Sequence, residues 1–375
     1  MEFKINSKEL SKRLEQLSKV MLPKNVIPIL ADVMIDIRGS VATLTTSDGE
    51  QWLSLKCPII STDCDTKLCV NIKDFSSLMS NIDDDVTISL KEDTMQLTCN
   101  YGNGEFDMPY ENAGEYPIGN NADEVIKSII VDGHKVYNAI RMTEFAVATA
   151  ASTISVTPVF GGIYFKFGEH GMNVSATNKF KVAVYNDDTV KGEECSVTIP
   201  HKTIIVMSSL FGGINGDVKL SFGKSYVSVN NRDFKLSSRL IEGFFPKCES
   251  LIPKSPTVTA SIKKSDLLLA LKRVMPMSND VSELVVAEFG NGHVTLTTEN
   301  TVFGKKASET VVCDCDQSMK IGFKGSDLVD IVRNVDDEDI TIELTDAAHG
   351  GVFYASSNYT KDEYVSLLAP SLIQQ

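Results

Sequence analysis

One pentapeptide occurs three times in variant form along this chain of 375 residues: Leu44–Asp48 (LTTSD), Val174–Asn178 (VSATN) and Leu296–Asn300 (LTTEN). A second motif follows each copy, as Asp85–Ile88 (DVTI), Asp217–Leu220 (DVKL) and Asp339–Ile342 (DITI). Successive copies are separated by roughly a third of the chain. A period this long exceeds the ~20–50 residues of solenoid repeats, so the sequence predicts three tandem copies of one domain.

Each copy has the same order of predicted elements. A short strand precedes a first helix, alternating strands follow, and a second helix precedes further strands, so each copy is a doubled βαβββ unit of an α+β fold. The first helices are predicted at Lys8–Met21, His134–Thr149 and Lys264–Met275, and the second near Lys73, at Lys202–Phe211 and at Gly325–Val335. Leu10, Leu14 and Leu17 form the apolar stripe of the first helix. Asn6 and Glu9 form a plausible capping box before it.

Two stretches, Glu115–Glu124 and Ser250–Pro256, separate the copies and predict domains at residues 1–122, 123–252 and 253–375. The second stretch overlaps Leu240–Pro253 (LIEGFFPKCESLIP), which has too many apolar residues for a solvated linker, namely Leu240, Ile241, Phe244, Phe245, Leu251 and Ile252. Its two prolines exclude a helix interior or a central strand. We interpret this segment as a stiff seam between two packed bodies, and an ordinary edge strand with a turn is the alternative.

The composition is that of an ordinary globular protein, with 42% hydrophobic and 23% charged residues and a mean hydropathy of -0.03. No apolar run approaches the ~20 residues of a membrane span, and the N-terminus lacks the apolar core of a signal peptide. We therefore expect a cytoplasmic protein without a membrane partner. Its eight cysteines form no CxxC pair and its five histidines do not cluster, so we expect no metal site and no cofactor.

The charge is distributed unevenly. A net charge of -14 and a pI near 4.9 argue, as sums, against a nucleic-acid partner. The acidic residues, however, concentrate in turns such as Asp83–Asp85 and Asp336–Asp339, whereas the predicted helices are net basic. The helix residues that could face nucleic acid are Lys12, Lys19, Lys73, Lys135, Arg141, Lys202, Lys264, Arg273 and Arg333. Solvated helix faces are the simpler explanation of the same pattern.

No catalytic motif is visible. The chain contains neither a Walker A sequence nor a GxSxG elbow. The paired acids at Asp84 and Asp337 would suit a metal-dependent hydrolase, but each run directly precedes a predicted strand, where solvated turns are common. We therefore predict a non-catalytic protein and keep the hydrolase as an unfavoured alternative.

Further short motifs identify a family. They are Ile27–Leu30 (IPIL), Gly104–Phe106 (GEF), Glu115–Pro117 (EYP), Phe160–Ile163 (FGGI), Ala176–Asn178 (ATN), Ile199–Lys202 (IPHK) and Tyr364–Pro370 (YVSLLAP). Together with Leu44–Asp48 and Leu240–Pro253, in this order, they resemble the bacterial sliding clamps, the beta subunits of DNA polymerase III, from end to end. The resemblance implies a head-to-tail homodimeric ring with helices lining the hole and sheets outside. Such a ring encircles duplex DNA, slides without sequence specificity and tethers the replicative polymerase as a processivity factor.

Domain size agrees with two chains per ring. A domain of about 125 residues has a radius of gyration near 14 Å, so it is roughly 36 Å across as a sphere. Three touching spheres leave a hole of only ~5 Å, whereas six leave ~36 Å, which admits a DNA duplex. A three-domain scaffold that never touches DNA remains the alternative.

The resemblance also implies site residues. Lys24 occupies a position associated with DNA contact, and Phe106, Met108, Pro276 and Met277 match the subunit interface. Clamps bind short peptides of the polymerase III catalytic subunit, the clamp loader and other partners in a groove between the second and third domains. Its implied wall is Phe160, Thr177, Lys179, Phe180, Lys181, Val182, Pro246, Ser250, Leu251, Leu367, Leu368, Ala369 and Pro370. The family often has Gly-His-Arg at 179–181 and an arginine at Ser250, and we expect lysines at the rim of an apolar slot.

Overall fold

The computed structural model describes residues 1–21, 27–117, 124–214, 216–315 and 317–373. The first third contains β1 (Glu2–Asn6), α1 (Ser7–Ser18), β2 (Asp32–Arg38), β3 (Val41–Ser47), β4 (Gln51–Pro58), β5 (Ser61–Thr62), β6 (Thr66–Asn71), α2 (Ile72–Met79), β7 (Asp85–Lys91), β8 (Gln96–Tyr101), β9 (Gly104–Pro109) and β10 (Glu111–Asn112). This order repeats the predicted pattern of strand, helix, strands, helix and strands.

The other two thirds follow the same plan. The second contains β11 (Lys127–Asp132), α3 (Gly133–Thr143), α4 (Ala151–Val156), β12 (Gly162–Gly168), β13 (Gly171–Thr177), β14 (Lys181–Asp187), β15 (Cys195–Pro200), α5 (His201–Phe211), β16 (Asp217–Phe222), β17 (Tyr226–Asn230) and β18 (Phe234–Arg239). The third contains β19 (Val258–Lys263), α6 (Lys264–Val274), β20 (Leu284–Gly290), β21 (His293–Asn300), β22 (Lys305–Asp314), β23 (Met319–Lys324), α7 (Gly325–Asn334), β24 (Asp339–Leu344), β25 (Gly351–Ala355) and β26 (Tyr364–Leu368).

The strands form three sheets, and two of these are shared by neighbouring thirds. A five-stranded sheet has the order β5-β1-β7-β8-β9. In a nine-stranded sheet, β4 of the first third pairs antiparallel with β18 of the second. In a twelve-stranded sheet, β14 of the second third pairs antiparallel with β26 of the third. Adjacent thirds are thus joined by backbone hydrogen bonds between corresponding strands.

Contacts divide the chain into two compact units, residues 1–137 with 202–240 and residues 138–201 with 241–375. The five- and nine-stranded sheets belong to the first unit and the twelve-stranded sheet to the second. The division cuts the second third because each of its sheets continues into a different neighbour. The predicted bounds at 122 and 252 therefore remain a prediction.

Local sequence explains the helix starts better than the helix ends. The Asn6 side chain accepts a hydrogen bond from the Glu9 N–H, as the capping box predicts, and the leucine stripe of α1 is buried. The helix predicted over His134–Thr149 is wrong in its last turns, because α3 ends at Thr143. There the Ala148 N–H bonds to the Phe160 carbonyl, which requires extended chain rather than helix. No helix in the described ranges combines the length and apolar character that a membrane crossing requires.

Candidate partner groove and nucleic-acid face

An apolar cluster in the second unit lies where β14 meets β26. Val182 and Leu367 are directly opposite each other across this strand pair. The buried members of the cluster are Val159, Val182, Val184, Phe245, Cys248, Val352, Val365 and Leu367, and Phe160, Tyr164, Ile241, Ile252 and Tyr354 pack against them. Four of these thirteen residues come from the segment Leu240–Pro253, so this segment forms one side of the cluster.

The members that this segment contributes are Ile241, Phe245, Cys248 and Ile252, four in all. The Phe245 ring stacks on Tyr164, with centroids 5.0 Å apart, and meets the Phe160 ring edge-on at 6.3 Å. Phe244 points away and is 81% exposed. Apart from an isolated bridge between Ile241 and Thr198, the segment joins no strand and contains a short 3-10 turn. The interpretation as an ordinary edge strand is therefore wrong, and the segment packs as a stiff apolar cover.

The hairpin between β13 and β14 forms a second side of the groove. The Thr177 hydroxyl donates to the Lys181 carbonyl and accepts from the Lys179 N–H, and the Asn178 side chain accepts from two further backbone N–H groups. Lys179 has φ of +84°, which favours glycine and explains the glycine common at this position in the resembled family. Phe180 is 59% exposed at the tip. The hairpin thus presents an aromatic side chain to solvent on a rigid turn.

The sequence predicted Lys181 at the rim of the groove, but the structure does not place it there. Its ammonium group is buried, 3.1 Å from the Asp327 carboxylate and 2.6 Å from the Asp330 carboxylate, both on α7. The Asp327 side chain is only 8% exposed. The rim prediction is wrong because Lys181 opens β14 on the side that packs against α7. The exposed Lys179 is left as the lysine of this hairpin at the rim.

A cavity of about 300 Å³ lies beside the same hairpin. Phe180 and Lys181 of the hairpin line it, together with several residues that follow α3. Asp327 and Asp330 of α7 and Lys324, the residue before α7, also line it. Phe180 therefore lines a recess that contains two acids, Asp327 and Asp330, and two lysines, Lys181 and Lys324.

The remaining predicted groove residues have unequal access to solvent. Pro246, Ala369 and Pro370 are half-buried, and Leu251 is 53% exposed. The exposed Ser250 donates its hydroxyl to the Lys247 carbonyl. The Leu368 side chain is completely buried and packs inward, away from any ligand. The Ala369 N–H bonds to the Phe180 carbonyl at 2.7 Å, which fixes the residue after β26 against the hairpin.

In the first unit, a tryptophan stands at the position that corresponds to Val182. Trp52 occupies the matching place in the hairpin of the first third, since Ser47 is opposite Trp52 as Thr177 is opposite Val182. Its indole N–H donates to the Pro117 carbonyl at 3.0 Å. Equivalent positions of the two hairpins are thus occupied by an indole and by a valine that is only 3% exposed.

The predicted nucleic-acid residues divide into two groups. Lys12, Lys73 and Arg333 are exposed and form no ion pair within the ranges that the structure describes. Lys19 is exposed and its ammonium group lies 2.8 Å from the Ser209 hydroxyl. Lys135 is half-buried. Lys24 lies outside the described residues.

Four basic residues are already engaged by the protein. Lys202 pairs with Asp48 at 2.7 Å and with Glu50. Arg141 pairs with Asp336 at 2.6 Å, and Arg273 pairs with Glu309. Lys264 donates to the Val335 carbonyl, and burial lowers the pKa of its ammonium group. These contacts reduce the positive charge that the helix pattern alone would suggest.

The predicted interface residues lie at an edge strand and at a turn. Phe106 and Met108 share the half-buried face of β9, which is the last strand of its sheet. Pro276 and Met277 are exposed in a 3-10 turn after α6. β22 was not predicted from the sequence; it pairs with β21 from Lys305 to Val312 and with β19 only at Cys313 and Asp314. The threefold repeat could have identified it, because β22 corresponds to β4 and β14.

The acidic residues before the strands form hydrogen bonds that stabilise the loops around them. The Asp337 carboxylate accepts hydrogen bonds from the Ser357 N–H and hydroxyl and from the Asn358 N–H. Burial alone would raise the pKa of Asp337, but these hydrogen bonds outweigh it and lower the pKa to about 2. Over the described ranges, no three His, Cys, Asp or Glu side chains are grouped so that they could hold a metal ion. The geometry gives the hydrolase interpretation no support.

The fold and the groove define a DNA sliding clamp. Family models for the DNA polymerase III beta subunit match the chain three times, with the N-terminal domain at residues 1–121, the central domain at 130–247 and the C-terminal domain at 249–365. The chain therefore belongs to the DNA polymerase III beta subunit family. This family is the processivity subunit of the polymerase and is not catalytic.

Known relatives and structures agree with this assignment. The chain is 24% identical over 352 residues to the beta sliding clamp of Proteus mirabilis, covering 92% of this chain and 94% of the relative. It is 25% identical over 363 residues to that of Staphylococcus aureus strain Mu50, covering 92% and 93%. A griselimycin-bound DnaN sliding clamp from Pseudomonas aeruginosa superposes with a TM-score of 0.92 at 20% identity, and the beta subunit of Thermotoga maritima with 0.90 at 18%; both comparisons cover 100% of each chain.

Proposed function

We propose that two copies of this chain form a head-to-tail ring that encircles duplex DNA and tethers the replicative polymerase during processive synthesis. Family membership and the threefold repeat support this assembly, and six domains of this size leave room for a duplex whereas three do not. The protein then acts in DNA replication in the cytoplasm, at the nucleoid, without a cofactor.

The strand pairing between successive thirds of the chain supports the dimer. Within the chain, β4 pairs with β18 and β14 pairs with β26, which are corresponding strands of successive thirds. Continuing this series, β22 of the third copy requires the last strand of a following copy, which is β9 of another chain. An unpaired strand edge is a template for strand addition, and a repeated head-to-tail contact can close into a ring. Phe106 and Met108, with Pro276 and Met277, then lie in the subunit contact.

Contact with DNA rests on non-specific attraction to phosphates. Lys12, Lys73 and Arg333 lie on α1, α2 and α7 with their charges available, and the exposed Lys19, directly after α1, adds to them. The half-buried Lys135 on α3 is a further proposed DNA-facing residue. Phosphate contacts of this kind carry no sequence information, so the ring can slide. Retention is topological and does not require tight binding.

The groove binds a peptide of a partner protein. Val182, Leu367 and Phe160 form an apolar slot, and Pro246 with the exposed Leu251 extends it. A slot of this kind suits a short peptide with one or two aliphatic or aromatic anchors. We propose the polymerase III catalytic subunit, the clamp loader and other proteins with a clamp-binding motif as its partners.

The test is retention on circular DNA. With a clamp loader and ATP, the protein should remain on a nicked circle through gel filtration and should be released when the circle is linearised. Protein that stays bound after linearisation, or never loads, would favour a scaffold that does not encircle DNA. Reversal of Lys12, Lys73 and Arg333 to Glu should weaken loading, while Lys166→Glu, at an exposed strand position, serves as the matched control.

A further inference from the structure

We infer a specific register for the subunit contact, which rests on the dimer proposed above. In this register β9 of one copy runs antiparallel to β22 of a second copy, with Phe106 opposite Ala307 and Asp107 opposite Lys306. Lys305 of the second copy then forms an ion pair with Asp74 of the first copy. The internal junctions of the chain provide each step of this assignment.

The first step aligns the three hairpins through the repeated pentapeptide. Its fourth residue is Ser47, Thr177 or Glu299 in the three copies. Across the hairpin these residues are opposite Trp52, Val182 and Lys306, respectively. Lys306 is therefore the structural equivalent of Trp52 and Val182, although the loop before it is longer.

The second step aligns β9 with β18 through their preceding turns. Tyr101 is opposite Gly104 at the turn before β9, and the Asn231 N–H bonds to the Phe234 carbonyl at the turn before β18. Gly104 thus matches Phe234, which makes Asp107 the equivalent of Ser237. In the junction of β4 with β18, Ser237 is opposite Trp52 and Leu236 is opposite Leu53.

Combining the two alignments gives the pairing between copies. Asp107 replaces Ser237 and Lys306 replaces Trp52, so the acid and the base are directly opposite. One position along, Phe106 is opposite Ala307. The small Ala307 side chain leaves room for the half-buried ring, and both residues lie on the same face of the extended sheet.

A third step locates the ion pair at the end of the strand. In both internal junctions the first residue of a strand contacts the third residue of a helix: β4 contacts α5 in one junction, and β14 contacts α7 in the other. The Thr203 hydroxyl of α5 lies 3.1 Å from the Gln51 side-chain oxygen, and the Lys181 ammonium group lies 3.1 Å from Asp327 of α7. The matching positions at the open edges are Lys305, the first residue of β22, and Asp74, the third residue of α2.

The two edges have opposite charges, which favours a second copy as the occupant. Asp74, Glu105 and Asp107 stand on the side of α2 and β9, and Glu105 and Asp74 are exposed. Lys305 and Lys306 are exposed at the start of β22. Apolar side chains adjoin the basic edge, since Val302 and Phe303 are 77% and 66% exposed in the preceding loop. Complementary charges favour contact between the two edges, and the exposed apolar side chains of this loop can be buried against another copy.

Charge reversal on each edge provides the test. Lys305→Glu/Lys306→Glu places acids against acids, and Asp74→Lys/Asp107→Lys places bases against bases. Sedimentation equilibrium should show each variant at least 10-fold weaker in self-association than the unmodified protein. An equimolar mixture should form a heterodimer with restored affinity, because both of its contacts then join opposite charges. Lys166→Glu/Lys219→Glu, at exposed strand positions, serves as the matched control.

The outcomes separate the register from the dimer. A monomeric unmodified protein at micromolar concentration would overturn the proposed ring itself. A dimeric protein whose charge variants associate normally, or whose mixture fails to associate, would overturn only the register. Cross-linking covers the case of a misfolded variant: a bismaleimide should join Phe106→Cys to Ala307→Cys across the contact and should not join Phe106→Cys to Val312→Cys. Equal cross-linking in both cases would also refute the register.

Discussion

Replacement of Lys181 by Met removes the cation that faces Asp327 and leaves this carboxylate in a protein interior. Asp327 is 8% exposed and lies 3.1 Å from the ammonium group, whereas Asp330 is 41% exposed and can be hydrated. Removal of one partner of a buried ion pair typically costs 3–5 kcal/mol. Asp330 contributes little because it is a half-exposed partner. We therefore expect Lys181→Met to lower the free energy of unfolding by about 3 kcal/mol, through the loss of the pair with Asp327.

Differential scanning calorimetry of the full chain measures the loss. For a cooperative unit of 150–250 residues, each kcal/mol lowers Tm by about 2–4 °C, so Lys181→Met should lower the transition of the second unit by roughly 6–12 °C. Hydrogen exchange should accelerate in β14 and β26 and remain unchanged in β3. Exchange thereby assigns the transition to the second unit.

Two further variants make the argument refutable. Lys181→Met combined with Asp327→Leu should recover most of the lost Tm, because a well-packed apolar pair can replace a buried ion pair. Lys179→Met, two positions away and exposed, should leave Tm within about 1 °C. An unchanged Tm in Lys181→Met, or a double variant no more stable than the single one, would refute the buried pair.

Three other predictions concern the groove, a close packing contact and pH. Leu251→Ser should weaken binding of an apolar peptide about 10-fold without changing Tm, since burial of a leucine side chain contributes about 1.5–3 kcal/mol; isothermal calorimetry measures it. Gly162→Ala should destabilise the chain by about 1–3 kcal/mol in urea unfolding, because a Cβ there would lie 2.4 Å from the Ile199 carbonyl oxygen. Burial, and then the charge of Glu111, raises the pKa of Asp32 from 3.8 to about 6, so stability should fall as pH rises from about 4 to 6. Asp32→Asn should abolish this fall in denaturant midpoints measured across that pH range.

The repeat made most of the fold predictable from sequence. Local signals located both helices of each third, and the Asn6 cap was confirmed in detail. The resemblance to sliding clamps brought Phe160, Val182 and Leu367 to one site, and the structure places all three in one apolar cluster. These successes depend on patterns within short windows or on motifs with fixed order.

The failures concern contacts between distant residues. The pairing of Lys181 with Asp327 joins positions that share no local pattern, so a lysine in a turn appeared to be a rim residue. Helix periodicity likewise cannot show that Lys202 is held by Asp48 and Glu50. The equivalence of Trp52 and Val182 emerges only when the strand pairings of the two hairpins are compared.

The shared sheets have a consequence for synthesis of the chain. β14 leaves the ribosome long before β26, the last strand, and a bacterial ribosome adds about 5–20 residues per second. Throughout that interval the edge of β14 that later pairs with β26 is open, and an open strand edge is a template for pairing with other chains. A product that terminates before Tyr364 would retain the open edge and would lack Leu367, one of the buried members of the apolar cluster.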